Sequence, residues 1–315
     1  MIYVIARDSN VPMGGVRRQY RLVEVLRSLG RKASVLHSKH GFRCAWFESP
    51  APVCYREDAV FEPEDVLVVP DEIAYYFADF TACPYVIYNQ NPYLFLESLN
   101  VDGYVRRAQV TLANPLMRGV IVVSESSKEL MEYAFPTVRV ERIRYGIDMD
   151  GFRPSAKTAT LAFMPRKSGD ALGLVLQLLE LRSIVTWDEI LTLEGLDERG
   201  IQQQLARTAV FLSGSTQEGF GLPVAEALAS GALVVGYDGE GGREMFAGPF
   251  ATRVEGGDVL AFAREVERVV GIARGDQARF AQLAAEGRRF IADNYSVEAE
   301  ANDIARAWQA LLGSS

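Results

Sequence analysis

The stretch Ala209-Val210-Phe211-Leu212-Ser213-Gly214-Ser215-Thr216-Gln217-Glu218-Gly219-Phe220-Gly221-Leu222-Pro223-Val224-Ala225-Glu226 decides the architecture of this chain. Its first four residues are apolar throughout, the pattern of a parallel strand covered on both faces. A turn rich in Ser and Gly follows. Pro223 then suits the first turn of a helix, where its missing N–H costs nothing, and Gly231 suits the position that closes that helix. Gly219 and Gly221 let backbone amides approach a ligand closely, and a helix start adds the positive end of its dipole. Glu218 falls on the loop and Glu226 in the predicted first turn. Amides suit phosphate; carboxylates, which only accept, suit hydroxyl groups. Taken singly, Glu226 could merely complement the dipole and Glu218 could be a solvated loop residue. The string as a whole argues for a mixed phosphate and hydroxyl site.

The same strand–turn–helix grammar extends in both directions. Apolar runs at 2–6, 33–37, 66–69, 85–88, 120–123, 161–164, 183–186, 210–212 and 233–236 are predicted strands. Helical periodicity marks 15–29, 125–134, 170–181, 198–206, 223–230, 257–274, 277–293 and 296–312. Such alternation predicts a doubly wound α/β architecture. The pattern restarts after a Gly-, Asp- and Pro-rich passage at 144–158, so the 315 residues are divided into domains of 1–150 and 151–315. Ligands of open parallel sheets sit at the carboxyl ends of the strands, and two facing sheets make a cleft.

Composition removes several classes of function. A net charge of −8 argues against a general nucleic-acid binder. Residues 1–56 nevertheless carry ten Lys or Arg against Asp8, Glu24 and Glu48, which leaves that stretch near +7 and the remainder near −15. This stretch is either a face for an anionic partner, such as a phosphate-bearing substrate or an anionic lipid surface, or a solvated helix face. Cys44, Cys54 and Cys83 show no paired spacing, and with only His37 and His40 a structural zinc site is not expected. The apolar start is too short for a signal peptide, and no run approaches about 18 apolar residues. A cytoplasmic protein in a reducing compartment is expected.

Four further segments could carry chemistry. Phe163-Met164-Pro165-Arg166-Lys167-Ser168-Gly169-Asp170 leaves a predicted strand and opens a helix, where Arg166 and Lys167 could grip a diphosphate or be exposed loop cations. Val11-Pro12-Met13-Gly14-Gly15-Val16-Arg17-Arg18 follows the first strand, and its glycines permit close backbone approach or a plain strand-to-helix turn. Tyr88-Asn89-Gln90-Asn91-Pro92-Tyr93 ends a buried strand with amides that could orient hydroxyls or simply form a turn. Asp238-Gly239-Glu240-Gly241-Gly242-Arg243-Glu244 could touch a ligand or be only a turn.

Glu218 and Glu226, with seven residues between them and Gly-Phe-Gly-Leu-Pro inside the interval, resemble the E-x7-E signature of retaining GT-B glycosyltransferases of family 4. The resemblance covers most of the chain and is strongest over 159–246. It implies two Rossmann-like domains around a cleft, with the last helix, about 297–312, crossing back to the first domain. It further implies a nucleotide-diphosphate sugar as co-substrate and no essential metal. Glu218 would then bind the donor sugar and Glu226 the ribose. Phe220, Gly221 and Leu222 would present main-chain amides, and Arg166 and Lys167 would stabilise the departing diphosphate. Gly14 and Gly15 would close over the donor phosphates, and Asn89, Gln90, Asn91 and Arg17 would contact the sugar or acceptor. Tyr145-Gly146-Ile147-Asp148 is similar to the interdomain segment of the family.

Two departures from the family pattern matter. Arg166 and Lys167 are adjacent here, while many relatives separate them. Much of the family has a His near 88–93, and here there is none. Amides cannot serve as a general base near neutral pH, so a donor phosphate oxygen is expected to take the acceptor's proton. The reaction implied moves a hexose or deoxyhexose to a glycan or lipid-linked acceptor in surface polysaccharide or glycolipid synthesis, with peripheral membrane contact through the basic stretch. The competing reading is a non-catalytic nucleotide-sugar-binding partner subunit. A nicotinamide enzyme is disfavoured, because no G-x-G-x-x-G follows the first strand.

Overall fold

The computed structural model describes residues 1–100, 103–165 and 169–313. The chain forms two compact units, Met1–Arg144 with Glu298–Ser315, and Tyr145–Val297. The division at Arg144 falls slightly before the 150 read from composition.

In chain order the first unit contains β1 (Ile2–Ile5), α1 (Gly14–Ser28), β2 (Ala33–His37), β3 (Val53–Tyr55), β4 (Val66–Pro70), β5 (Tyr85–Tyr88), α2 (Pro92–Ser98), α3 (Tyr104–Ala113), β6 (Met117–Val122), α4 (Glu125–Ala134) and β7 (Val140–Arg142). Its parallel sheet has the order β3-β2-β1-β4-β5-β6-β7. The second unit contains β8 (Ala159–Phe163), α5 (Gly169–Leu181), β9 (Ile190–Thr192), α6 (Glu198–Ala206), β10 (Thr208–Ser213), α7 (Leu222–Ala229), β11 (Leu233–Gly236), β12 (Ala251–Arg253), α8 (Val259–Gly275) and α9 (Gln277–Asn294), and α10 (Val297–Leu312) ends the chain. The second sheet is also parallel, in the order β12-β11-β10-β8-β9. Each order reverses at one place, between β1 and β4 in the first sheet and between β8 and β10 in the second. Ligands of open α/β sheets bind at such switch points, outside the carboxyl ends of the strands.

Burial explains which strands form. Every residue of β2, β5, β10 and β11 is buried. Around Tyr85, Ile87, Leu67, Val120 and Met131 the first sheet packs into one apolar cluster, each large side chain contributing about 1.5–3 kcal/mol. The sheet edges are different. β3, β7, β9 and β12 are three residues each and only partly buried, and none of them matches a strand expected from the apolar runs. The strand expected at 183–186 is not formed. Ser183, at φ +56°, closes α5 instead: its amide donates to Glu180 O (2.8 Å), and the Ile184 amide donates to Leu179 O (2.9 Å). Thr186 and Glu189 then cap each other across a 3₁₀ turn, and the strand begins at Ile190. The helices α2 and α3 also lay outside the predicted set.

The basic stretch serves the fold. Arg18 Nη1 (3.3 Å) and Arg21 Nε (3.0 Å) bond the carboxylate of Glu300, whose side chain is 2% exposed on α10. Arg144 grips Asp303 on the same helix through Nε (2.7 Å) and Nη2 (3.0 Å). Gly119, at φ +148°, admits Leu311 where a Cβ would overlap it. Arg17 pairs with Glu24 at 3.2 Å, and Arg43 donates to the carbonyl oxygen of Ala51 at 3.1 Å. Arg17, Arg18, Arg21 and Arg43 thus hold α10 and the adjoining loops, while Arg7, Lys32 and Lys39 of the same stretch are exposed. Glu300→Ala leaves two guanidinium groups facing a buried gap. It should lower stability by about 3 kcal/mol in denaturant titration. Among the described residues no helix is long and apolar enough to cross a membrane.

Candidate active site

At the carboxyl ends of β10 and β11 two loops are knitted into one. Ser213 Oγ donates to Tyr237 O (2.6 Å), and the Tyr237 amide donates back to Ser213 O (2.8 Å). Farther along, the Glu218 amide donates to Gly239 O (2.7 Å), and the Gly241 amide donates to Glu218 O (3.1 Å). A Cβ on Gly241 would overlap the carbonyl oxygens of Glu218 and Gly219, and one on Gly221 would lie 3.2 Å from Gly242 Cα. The segment Asp238–Glu244 is therefore more than a turn: its glycines allow it to brace the loop that carries Glu218. Glu240, between those glycines, is held at φ +64°, a strained conformation for a side-chain-bearing residue. Arg253 Nε pairs with the buried Asp238 at 2.8 Å, and Arg243 pairs with Glu240.

The braced loop feeds α7. Gly221 is its N-cap at φ +85°, no side chain caps it, and its first turn holds no acid. That end of the helix thus offers backbone amides and positive dipole to an anion. Glu226 lies beyond the first turn, which corrects the predicted placement and removes dipole pairing as its explanation. The Phe220 ring is buried between Tyr145 and Tyr295, with centroids 5.0 and 5.5 Å away, and Tyr295 OH donates to Glu244 at 3.1 Å. The Phe220 ring is therefore a buried anchor of the loop. At the opposite end of α7, Lys157 Nζ donates to Ser230 O (2.6 Å) and Ala206 O (2.9 Å), and Arg288 donates to Ala229 O. Burial pulls the Lys157 ammonium down to about 8, with the neighbouring Arg288 charge adding to the effect. Both cations were invisible to sequence reasoning, because their partners are carbonyls of distant helix ends. The loop after β8 carries Arg166 and Lys167, which lie outside the described residues.

In the first unit the structure brings Gly15 and Gln90 together. Gln90 Nε2 donates to Gly15 O (3.1 Å), and Gln19 Nε2 donates to Gln90 Oε1 (3.4 Å). Gly14 and Gly15 open α1, which has no side-chain cap and no acid in its first turn. Arg17 lies 5.1 Å over the Phe47 ring while pairing with Glu24. Asn89 is fully buried, with its amide nitrogen 3.7 Å from Met131 Sδ. Asn91 Oδ1 caps α2 by accepting from the amides of Tyr93 (3.1 Å) and Leu94 (3.4 Å). For Asn91 the turn-forming reading is the one the geometry favours.

Two acids at strand ends, Asp71 buried and Asp8 half-buried, escaped the sequence. Asp71, just past β4, accepts from the amides of Gln90 (3.0 Å) and Asn91 (2.9 Å) through Oδ2, and from the Glu72 amide (3.0 Å) through Oδ1. Desolvation pushes its carboxyl up to about 7, against the pull of these amides. The proton is therefore held more tightly in the native state than in an unfolded chain, where Asp titrates near 3.9. This contribution to stability is complete below about pH 4 and is lost as pH rises through 7. The fall in melting temperature from pH 5 to pH 8 should be smaller in Asp71→Asn than in the parent. Asp8, past β1, accepts from His37 Nδ1 (2.7 Å), whose Nε2 lies 2.7 Å from Tyr20 OH. Burial keeps the His37 ring neutral by lowering its pKa, so Nδ1 carries the proton donated to Asp8 and Tyr20 donates to Nε2. Fully buried, His37 is no base for an open site. Among the described residues, one set of metal-capable side chains converges: the exposed His40, Glu57 and Asp58.

The architecture matches solved glycosyltransferases. It superposes on sucrose-phosphate synthase from Thermosynechococcus elongatus with a TM-score of 0.75 at 14% identity, covering 100% of this chain and 99% of that one. It superposes on Anabaena HepE in complex with UDP-glucose with a TM-score of 0.70 at 17% identity, covering 99% and 100%. Residues 175–271 match the family described as "Glycosyl transferases group 1". Fold and match together make the chain a glycosyltransferase of the GT-B architecture. In sequence it is 27% identical over 227 residues to an alpha-1,6-glucosyltransferase of Actinobacillus pleuropneumoniae serotype 7 (strain AP76), over 69% of this chain and 66% of that relative.

Proposed function

We propose that the chain is a retaining, family 4-type enzyme that moves a hexose or deoxyhexose from a nucleoside-diphosphate sugar to a hydroxyl of a glycan or lipid-linked acceptor. The observation that carries this reading is the double loop at β10 and β11, which sets Glu218 beside the uncapped start of the helix that bears Glu226. In this assignment Glu218 accepts from donor sugar hydroxyls and Glu226 from the ribose. The amides at the start of α7, with Arg166 and Lys167, hold the diphosphate. The bond from C1 to the phosphate oxygen breaks, a bond from C1 to the acceptor oxygen forms on the same face, and the acceptor's proton passes to the departing phosphate. Preorganised amides and cations then stabilise the charge that develops on that phosphate. UDP-glucose is the first donor to test, because HepE was solved with it and the Actinobacillus relative is named a glucosyltransferase.

The buried state of His37 gives some weight to a binding subunit without turnover. One experiment separates the two readings. UDP should raise the melting temperature of the purified chain, and UDP-glucose with acceptor extract should release UDP with no effect of a metal chelator. A thermal shift without release would favour the binding subunit. Neither effect with UDP, GDP or dTDP would remove the proposal.

A further inference from the structure

We propose that Asp71 is a positioning residue: through the backbone and side chain of Gln90 it sets the Gly14–Gly15 start of α1 at the switch point of the first sheet. The proposal deepens the function above and rests on it, since for an enzyme of that kind the family resemblance gives this helix start to the donor's phosphates.

The geometry begins where a ladder ends. β4 and β5 pair in parallel register up to Pro70 opposite Tyr88. Beyond that rung the two chains part, β4 into a 3₁₀ turn over Asp71–Phe77 and β5 toward α2. The amides of Gln90 and Asn91 lose their strand partner at this point, and buried amides need acceptors. Asp71 Oδ2 supplies one atom to both, at 3.0 and 2.9 Å, so its carboxylate takes the place of a further rung.

The backbone of Gln90 is thereby fixed, and its side chain reaches α1. Its Nε2 donates to Gly15 O at 3.1 Å, and its Oε1 accepts from Gln19. The fit is close: a Cβ on Gly15 would come within 3.2 Å of Gln90 Oε1. β1 and β4 are the neighbours between which the strand order reverses, and α1 and Asp71 follow those two strands. The path Asp71–Gln90–Gly15 therefore spans both sides of the switch point. A carboxyl group suits this position because Oδ2 accepts from the Gln90 and Asn91 amides while Oδ1 accepts from that of Glu72. In Asn one of the two places is taken by an NH2 group that confronts an amide donor and forces the side chain to shift. A buried carboxylate is costly to keep, and simple loop closure gives no reason to span the switch point with it.

The test uses Asp71→Asn, Gln90→Ala and the double variant of the full chain. Each is assayed for kcat and donor KM with UDP-glucose, for UDP affinity, for melting temperature, and for hydrogen exchange over 13–20. Each single variant should lose about 100-fold in kcat, the scale expected when a reacting group is displaced by about 1 Å. UDP affinity should fall by less than about tenfold, well short of the loss in kcat, because Glu226 and the amides of α7 are assigned to the nucleotide whatever the setting of α1. Asp71→Asn should cost less than about threefold further in the Gln90→Ala background, as for two residues acting in one chain. Exchange over 13–20 should quicken in both single variants. Losses that multiply in the double variant, or that track melting temperature with exchange unchanged, would overturn the proposal. Gln90→Ala, at a half-buried position, keeps the test decisive if Asp71→Asn does not fold: unchanged kcat and exchange there would also overturn it. If the parent chain shows no turnover, the proposed function fails, and hydrogen exchange still decides whether Asp71 positions α1.

Discussion

Glu218→Ala is expected to abolish glycosyl transfer, with kcat falling by at least about 100-fold, while UDP binds within about threefold of the parent. The asymmetry follows from how the residue is held. Its main chain is part of the brace, through the Glu218 amide to Gly239 and the Gly241 amide to Glu218 O, and alanine preserves both bonds. Only the carboxylate is lost. In the proposed assignment that group accepts from donor hydroxyls whose hydrogen bonds strengthen as the sugar moves toward its oxocarbenium-like transition state, so its removal falls on kcat. In the same proposed assignment the nucleotide rests on other groups, the amides at the head of α7 and Glu226. UDP release and calorimetric UDP binding measure the two halves separately. Loss of binding together with transfer would mean that Glu218 supports the loop and has no separate role on the sugar.

Gly241→Ala is expected to lower stability by about 3 kcal/mol and to abolish nucleotide binding and transfer together. The added carbon would overlap the carbonyl oxygens of Glu218 and Gly219, and both are backbone atoms with no rotamer by which to yield. The loops after β10 and β11 must then separate, and the start of α7 loses its setting. Gly256→Ala is the internal control, since nothing lies within 4 Å of a Cβ there. Denaturant titration and UDP binding should show a large change for the first variant and none for the second. A Gly241→Ala protein of normal stability and affinity would show that the two loops do not depend on each other.

The parts of this fold that could be read in the sequence are those that water exclusion writes locally. β2, β5, β10 and β11 are buried along their whole length, so each leaves an apolar run between turn residues. The edge strands β3, β7, β9 and β12 pair on one side only, over three residues, and leave no such run. Likewise, Pro223 and Gly231 advertised the two ends of α7, because a helix-opening proline and a left-handed closing glycine are local demands. Asp71, Lys157 and Arg288 were not legible, because each serves backbone groups that only the tertiary fold brings near. The basic stretch was half legible. Its charge count was correct, but Glu300, which pairs with Arg18 and Arg21, lies 282 residues beyond Arg18.

Crystals of the chain soaked with UDP-glucose test the central claim most directly. The account predicts the diphosphate against the amides that open α7, with Glu226 within hydrogen-bond distance of the ribose and Glu218 on the glucose hydroxyls. A ligand seated elsewhere, or one that leaves Glu218 and Glu226 separated from it by more than a water molecule, would contradict it.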